Sequence, residues 1–313
     1  MKRKILVNLI ALMSMAMLSA FTSCGKSDKN DTPVEQKTAS IEMKVMSFNV
    51  RCYTTSDTGD NNWENRKEAC VKMIKDQVPD IIGFQEPRDN QRDYLISSLP
   101  EYNFYYVYAQ DGVSSTQTGH TLMAYRKDRF TVVKSGRFWL SGTPDVPSYP
   151  WSVASDKSIR TCLWEALTEK ESGKTIYFFN THFPYKTEDN EARKLAADLC
   201  ISKMKSIAGA DAKLFFVGDM NSSHNEEDSR RSSLDALYAW MTDGRDNAAA
   251  SDSYSSYNGY NDSANSSIIK QIDHIFTRNM TPMVFKTVNS HNYGVTYISD
   301  HYPITLTVKA VFE

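Results

Sequence analysis

The feature that most constrains this chain is a pair of unbroken apolar runs, "IYFF" (176–179) and "LFFV" (214–217), each ending on polar residues in "NTH" and "GDMN". A strand with one wet face alternates apolar and polar side chains, and these runs do not. They must be covered on both faces. The same pattern, an apolar run with a polar tip, recurs in "DIIGFQE" (80–86) and in "MKVMSFN" (43–49). Rigid strands that end this way hold polar groups at a sheet edge, where solvent and ligand reach them.

Periodicity places further elements around these runs. Helices are predicted near 63–77, 90–98, 188–207 and 232–241. Other strands are predicted in "YNFYYVYA", "TLMAYR", "FTVVKSGRFWL", "RTCLWEALTE", "IDHIF", "MVFKTV" and "YPITLTVKA". Clusters of strands with a few helices between them differ from strict βαβ alternation. They predict an α+β or α/β four-layer sandwich: two mainly antiparallel sheets packed face to face, with helices on both outer sides. Residues 41–313 contain no second linker or repeat and are read as one domain.

The N-terminus reads as a targeting segment. "MKRK" is a basic start, "ILVNLIALMSMAMLSAF" is uncharged, and "TSC" closes it with small residues. Residues 1–23 are expected to be a lipoprotein signal peptide, with Cys24 lipidated and 24–40 a flexible polar tether. An uncleaved membrane anchor is the alternative, because the apolar stretch approaches spanning length. Either way the domain is expected outside the cytoplasm, held at a bacterial membrane, and as a monomer. Removing Lys2, Arg3 and Lys4 leaves 36 − 3 = 33 basic against 38 acidic residues, a net of −5. That argues against a broad basic face for non-specific nucleic-acid binding. Cys52, Cys70, Cys162 and Cys200 remain without CxxC spacing. They allow three disulfide pairings, and none is assigned.

The strand tips supply Asn49, Glu86, His182, Asp219 and Asn221. "QIDHIF" adds Asp273, and "SDHYPI" adds Asp300 and His301. Hard oxygen donors without cysteine select Mg²⁺, Mn²⁺ or Ca²⁺ over structural zinc. Imidazole beside carboxylate suits proton transfer near neutral pH. The combination fits metal-assisted attack of water on phosphorus.

In chain order "MSFNVR", "PDIIGFQE", "NTHF", "GDMN", "IDHIF" and "SDHYPI" resemble the endonuclease/exonuclease/phosphatase family, over residues 43–306. The resemblance implies a divalent ion, usually Mg²⁺, and hydrolysis of a phosphoester in a small molecule, a lipid head group or nucleic acid. It implies Glu86 as principal metal ligand, with Asn49 and Asp300 close to it and binding the ion directly or through water. His301 is the implied base or phosphate-polarising group, oriented by Asp273. Asp219 and Asn221 position water or phosphorus, His182 donates to a phosphate oxygen or the leaving group, and Arg160 touches phosphate. Whether Asp219 or His301 takes the proton, and whether one ion or two bind, stays open. An extracellular nuclease is the alternative activity, and a non-catalytic binding protein is the alternative class. The chain departs from the pattern around Gly119, where some relatives carry a glutamate supporting the first histidine. It departs again at Pro184 and Tyr185, where an aspartate and a histidine are usual.

Other residues read as structural. Trp63 and Arg66 predict helix packing with a buried ion pair. His274 is expected to be structural, and His120, His224 and His291 carry no motif support. "YNFYYVY" is expected to pack in a sheet, and the loop "SYSSYNGY" to lie where it could meet substrate.

Overall fold

The computed structural model describes residues 38–108, 118–223, 225, 227–261 and 270–313, with the side chains of 118–120 left out. The expected signal peptide, Cys24 and most of the tether lie outside the described residues. Among the described residues no helix is long and apolar enough to cross a membrane.

Two six-stranded sheets form the body. The first contains β1 (Ala39–Asn49), β2 (Ile81–Gln85), β3 (Tyr102–Tyr108), β4 (Thr118–Arg126), β11 (Thr281–Thr287) and β12 (Ile304–Phe312), in the order β11-β12-β1-β2-β4-β3. The second contains β5 (Phe130–Trp139), β6 (Thr161–Glu169), β7 (Thr175–His182), β8 (Leu214–Asp219), β9 (Thr242–Asp243) and β10 (Asp273–Arg278), in the order β5-β6-β7-β8-β10-β9. β1 begins at Ala39, so the last two residues of the expected tether pair with Phe312 and Val311. Each sheet has one parallel pair, β1 with β2 and β7 with β8, and is otherwise antiparallel.

Those two parallel pairs place the site. Parallel neighbours finish at the same sheet edge, so the polar tips of the apolar runs arrive side by side. Asn49 is in register with Gln85, and His182 with Asp219.

Three apolar layers cover both faces of both sheets. Val45, Ile81, Phe178, Phe215, Val217 and Ile304 belong to the core between the sheets. α1 (Trp63–Gln77) and α2 (Asp89–Ser98) cover the outer face of the first sheet through Met73, Ile74 and Leu95, packed with Phe48 and Phe84. α3 (Asn190–Ala208) and α4 (Asp235–Trp240) cover the second through Ala196, Cys200, Met204 and Leu237, packed with Phe179 and Phe216. α1 opens on Asn62, whose side chain accepts from Glu64 N, and α3 closes at Gly209 with φ 88°. The short α5 (Gly244–Asn247) and β9 have no clear periodic signal in the sequence. The four described cysteines carry free thiols.

One expectation is corrected. Arg66 is buried, but among the described residues it makes no ion pair: its guanidinium donates to the carbonyls of Asn61, Val50, Ile298 and Arg51. Loop carbonyls that no strand uses supply the acceptors an acid was expected to supply.

Glu165 on β6 lies between the sheets, two residues from Leu163 and Leu167 of the central core, and its Oε2 has no hydrogen-bond partner. Burial alone pushes its carboxyl up to about 8. The unfolded chain ionises the same group near 4.5. The folded state is therefore unpenalised below that pH and loses stability as pH rises towards 8. Glu165→Gln is expected to stabilise the protein by on the order of 3 kcal/mol at pH 8 and by almost nothing at pH 4.5. Urea unfolding at the two pH values measures this. An equal effect at both would mean that the carboxyl is not held neutral.

Candidate active site

Backbone geometry at the strand tips is unusual. Arg51, Glu86 and Asn221 have positive φ (57°, 68° and 50°), and all three line one cleft. Non-glycine residues in this region cost free energy and cluster where the surrounding structure enforces a functional conformation. Gly218, at φ 152°, brings β8 against β7 so closely that a Cβ would stand 2.1 Å from Thr181 O.

The cleft holds about 670 Å³. Its floor joins the two sheets. Asn49 Nδ2 donates to Glu86 Oε1 at 3.2 Å and to Asp219 Oδ2 at 3.0 Å, while its Oδ1 accepts from Arg51 N at 2.9 Å. Cys52 N donates to Glu86 Oε2 at 2.9 Å. Asp219 Oδ1 accepts from Asn221 N, and Asn221 Nδ2 donates to Phe183 O at 3.1 Å with His182 Nε2 also 3.1 Å away. Asp219 Oδ2 lies 3.4 Å from His182 Nε2 and 3.7 Å from His301 Nε2. His301 Nδ1 donates to Asp273 Oδ2 at 2.7 Å.

Burial and charge act against each other here. Burial pushes Glu86 up, but His182, the Cys52 N–H, His301 and Asn49 together outweigh it and hold the carboxyl far below its usual range. Burial, reinforced by Asp273, pushes Asp219 up to about 7. Burial pushes His301 down, but Asp273 and Asp219 overcome it and raise the imidazole to about 10. Burial also raises Asp300, whose carboxylate lies 3.6 Å from Arg51 and accepts from Ser299 Oγ.

The residues singled out in the sequence come together. Glu86, His182, Asp219, Asn221, Asp300, His301 and Arg160 all line the cleft, and Asn49 and Asp273 are buried against it. Donor atoms of Glu86, His182 and Asp219 lie within 4.8 Å of one another, as do those of Asp219, Asp273 and His301. The two carboxylates of Glu86 and Asp219 at that spacing suit one hard divalent cation, with the His182 imidazole beside it. Asp300 is in neither group and turns towards Arg51. Arg160 pairs with Asp156 at 2.9 Å.

Tyr185, where the chain departs from the family pattern, lines the cleft, and periodicity missed the rest of the rim: Arg51, Cys52, Arg88, Arg230 and Lys270 also face it. Within the loop "SYSSYNGY", Ser256 Oγ accepts from Asp273 N at 3.0 Å, and the Tyr257 ring stands edge-on to His301 at 5.0 Å. His274 faces away from the cleft: it contacts Asp243 at 3.1 Å and donates from Nε2 to Ser222 O at 2.8 Å. His224 and the side chain of His120 lie outside the described residues, and Gly119 is described only as backbone of β4.

A model of the Endonuclease/Exonuclease/phosphatase family matches residues 46–301. An uncharacterized protein of Acanthamoeba polyphaga mimivirus is 31% identical over 186 residues, covering 57% of this chain and 67% of that protein. Among solved structures, an endonuclease/exonuclease/phosphatase family protein from Bacteroides thetaiotaomicron superposes with a TM-score of 0.76 at 26% identity, over 88% of this chain and 99% of the other. The mannosyl-6-phosphatase of the same organism superposes with a TM-score of 0.75 at 25% identity, over 85% of this chain and 99% of the other.

Proposed function

The chain belongs to the endonuclease/exonuclease/phosphatase family, and from that premise we propose that it is a divalent-cation-dependent hydrolase of small phosphoesters, acting outside the cytoplasm on a lipid tether at Cys24. The observation that carries the reading is the clustering of Glu86, His182 and Asp219 donor atoms within 4.8 Å, beside the His301–Asp273 pair. Glu86 and Asp219 would hold a cation of the Mg²⁺ type, which supplies charge neutralisation at the phosphoryl oxygens.

The chain's own residues do the rest. Asp273 fixes His301 with Nδ1–H towards the carboxylate, leaving Nε2 to face the reacting centre. Nε2 is the atom that handles water's proton, and Asp219 is the adjoining acceptor. Asn221 and Asp219 hold the His182 ring with Nε2 at the cleft, the atom that donates to a phosphoryl oxygen when protonated. Arg160, buried and held by Asp156, presents a fixed positive charge on the cleft wall.

Two observations favour a small substrate over nucleic acid. The cleft volume of about 670 Å³ falls within the range of small-ligand sites. Several of its cations are local and acid-paired, Arg51 with Asp57, Arg160 with Asp156 and Arg230 with Asp228, instead of forming a stripe. The likeness to a mannosyl-6-phosphatase points the same way.

The expected result is Mg²⁺-dependent, chelator-sensitive release of phosphate from sugar or polyol phosphates, in the membrane fraction. The rate should change less than about tenfold between 50 and 200 mM salt, where multi-phosphate binding loses ~10³ or more. Degradation of plasmid DNA or RNA with a steep salt slope, and no release from small phosphoesters, would establish the nuclease reading instead.

A further inference from the structure

The cleft straddles a seam. Glu86 and Asn49 come from the first sheet, while His182, Asp219 and Asp273 come from the second. Among the described residues no disulfide links the two sheets, so non-covalent contacts set the distance between the two half-sites. At the floor Asn49 joins them through its bonds to Glu86 and Asp219, and a second side chain crosses the seam directly beneath. Asn180 on β7 is fully buried. Its Nδ2 donates to Phe84 O at 2.9 Å and to Leu122 O at 3.0 Å, both on the first sheet. Its Oδ1 accepts from Gln85 Nε2 at 2.8 Å, and Gln85 Nε2 also lies 3.1 Å from Ser47 Oγ. The amide thus spends both hydrogens and its oxygen across the seam.

The sequence around it makes room. A Cβ at Gly83 would stand 2.7 Å from Asn180 Oδ1 and 2.5 Å from Val217 Cγ2. Glycine at this position lets the amide enter the first sheet. Thr121 and Thr161 add a second hydroxyl bridge between the sheets, at 3.2 Å. These bonds sit close to the chemistry in sequence as well. Asn180 lies two residues before His182 on the same strand face, Gln85 immediately precedes Glu86, and Phe84 lies two residues before it.

We propose that Asn180 is a positioning residue that sets the distance between the two half-sites, clamping Glu86 of one sheet against His182 and Asp219 of the other. The proposal rests on the cation-dependent reading above. Hydrogen bonds suit this task better than packing does, because they fix direction as well as separation and work in a dry interior where an unmet carbonyl is costly.

The test compares three variants with the wild type. Asn180→Leu keeps volume and removes the donors. Gln85→Met removes one of the three bonds. Leu167→Ala weakens the same inter-sheet core beside Ile176, at the far end of β7 from His182. Calorimetric titration with Mn²⁺ is the readout that a merely structural role would not move. Asn180→Leu is expected to weaken Mn²⁺ binding at least tenfold and Gln85→Met about threefold, while Leu167→Ala leaves it within twofold at a comparable loss of melting temperature. Equal weakening in Leu167→Ala, or unchanged affinity in Asn180→Leu, overturns the clamp. If Asn180→Leu does not fold, Gln85→Met decides by the same comparison.

Wild-type protein that binds no Mn²⁺ and cleaves no phosphoester would instead defeat the functional reading. The clamp would then be decided by a crystal structure of Asn180→Leu, or of Gln85→Met if that is the folded variant. Donor atoms of Glu86, His182 and Asp219 still within 4.8 Å of one another would overturn it, and a spread beyond that distance would sustain it.

Discussion

Glu86→Gln is expected to lower kcat by roughly 10³-fold while leaving the melting temperature of the cation-free protein unchanged or raised. The substitution keeps the shape and keeps an oxygen for the Cys52 N–H. What it removes is the negative charge that His182, Cys52 N–H, His301 and Asn49 jointly hold against burial. That charge is held at the tip of β2 by a backbone at φ 68°, and a carboxylate so placed serves a cation better than it serves the fold. Raising Mg²⁺ should recover little of the rate, because a neutral amide is a poor ligand for a hard cation. Steady-state kinetics with a Mg²⁺ titration measures both effects. A variant with more than a tenth of wild-type turnover would remove Glu86 from the centre of the proposal.

Asp273→Asn should cost about 10²- to 10⁴-fold in kcat and should also flatten the protein's pH response. In the cation-free protein burial lowers His301, but Asp273 and Asp219 bring it to about 10, against 6.5 for the free side chain. A raised imidazole contributes stability that is full below pH 6.5 and is lost as pH rises through 10. Asp219, raised to about 7 by burial and Asp273, contributes stability that is full below 3.8 and is lost by pH 7. Both signs agree, so the cation-free protein should weaken steadily from pH 6 to pH 10. A divalent ion competes with those protons. The gain in melting temperature from 5 mM Mg²⁺, chosen as about a saturating dose, should therefore be larger at pH 9 than at pH 6. Asp273→Asn removes the nearest counter-charge of His301, so the difference between the two pH values should shrink. A Mg²⁺ gain that does not vary with pH in the wild type would mean that protons and cation do not share the site.

Much of this arrangement was legible from the chain because it uses one device repeatedly. An apolar run too greasy to have a wet face must be central, and a polar residue at its end must then lie at a sheet edge. Asn49, Glu86, His182, Asp219 and Asn221 are all found this way, and the layered fold follows from the same runs. Less legible was anything that depends on which partner a buried polar group finds. Arg66 looked like half of an ion pair, because sequence does not distinguish a carboxylate acceptor from loop carbonyls. Asn180 reads as one more polar residue in "NTH", because its partners, the backbone carbonyls of Phe84 and Leu122 and the side chain of Gln85, are far away along the chain. Glu165 is one of two acids in "TCLWEALTE", and nothing local tells which of them faces the sheet–sheet core. The rim residues Arg51, Arg88, Arg230 and Lys270 sit on loops without periodicity, so only the fold reveals that they converge.

Ala39 pairs in register with Phe312, at the end of β1 opposite Asn49. Ten strand steps at about 3.3 Å put that end roughly 33 Å from the tip. Ala39 and Phe312 are therefore neighbours at the pole of the described body remote from the mouth of the cleft. A short peptide could join them into a circular permutant without crossing the entrance. A probe or solid support grafted at either residue would leave the mouth facing outward, free to meet dissolved molecules.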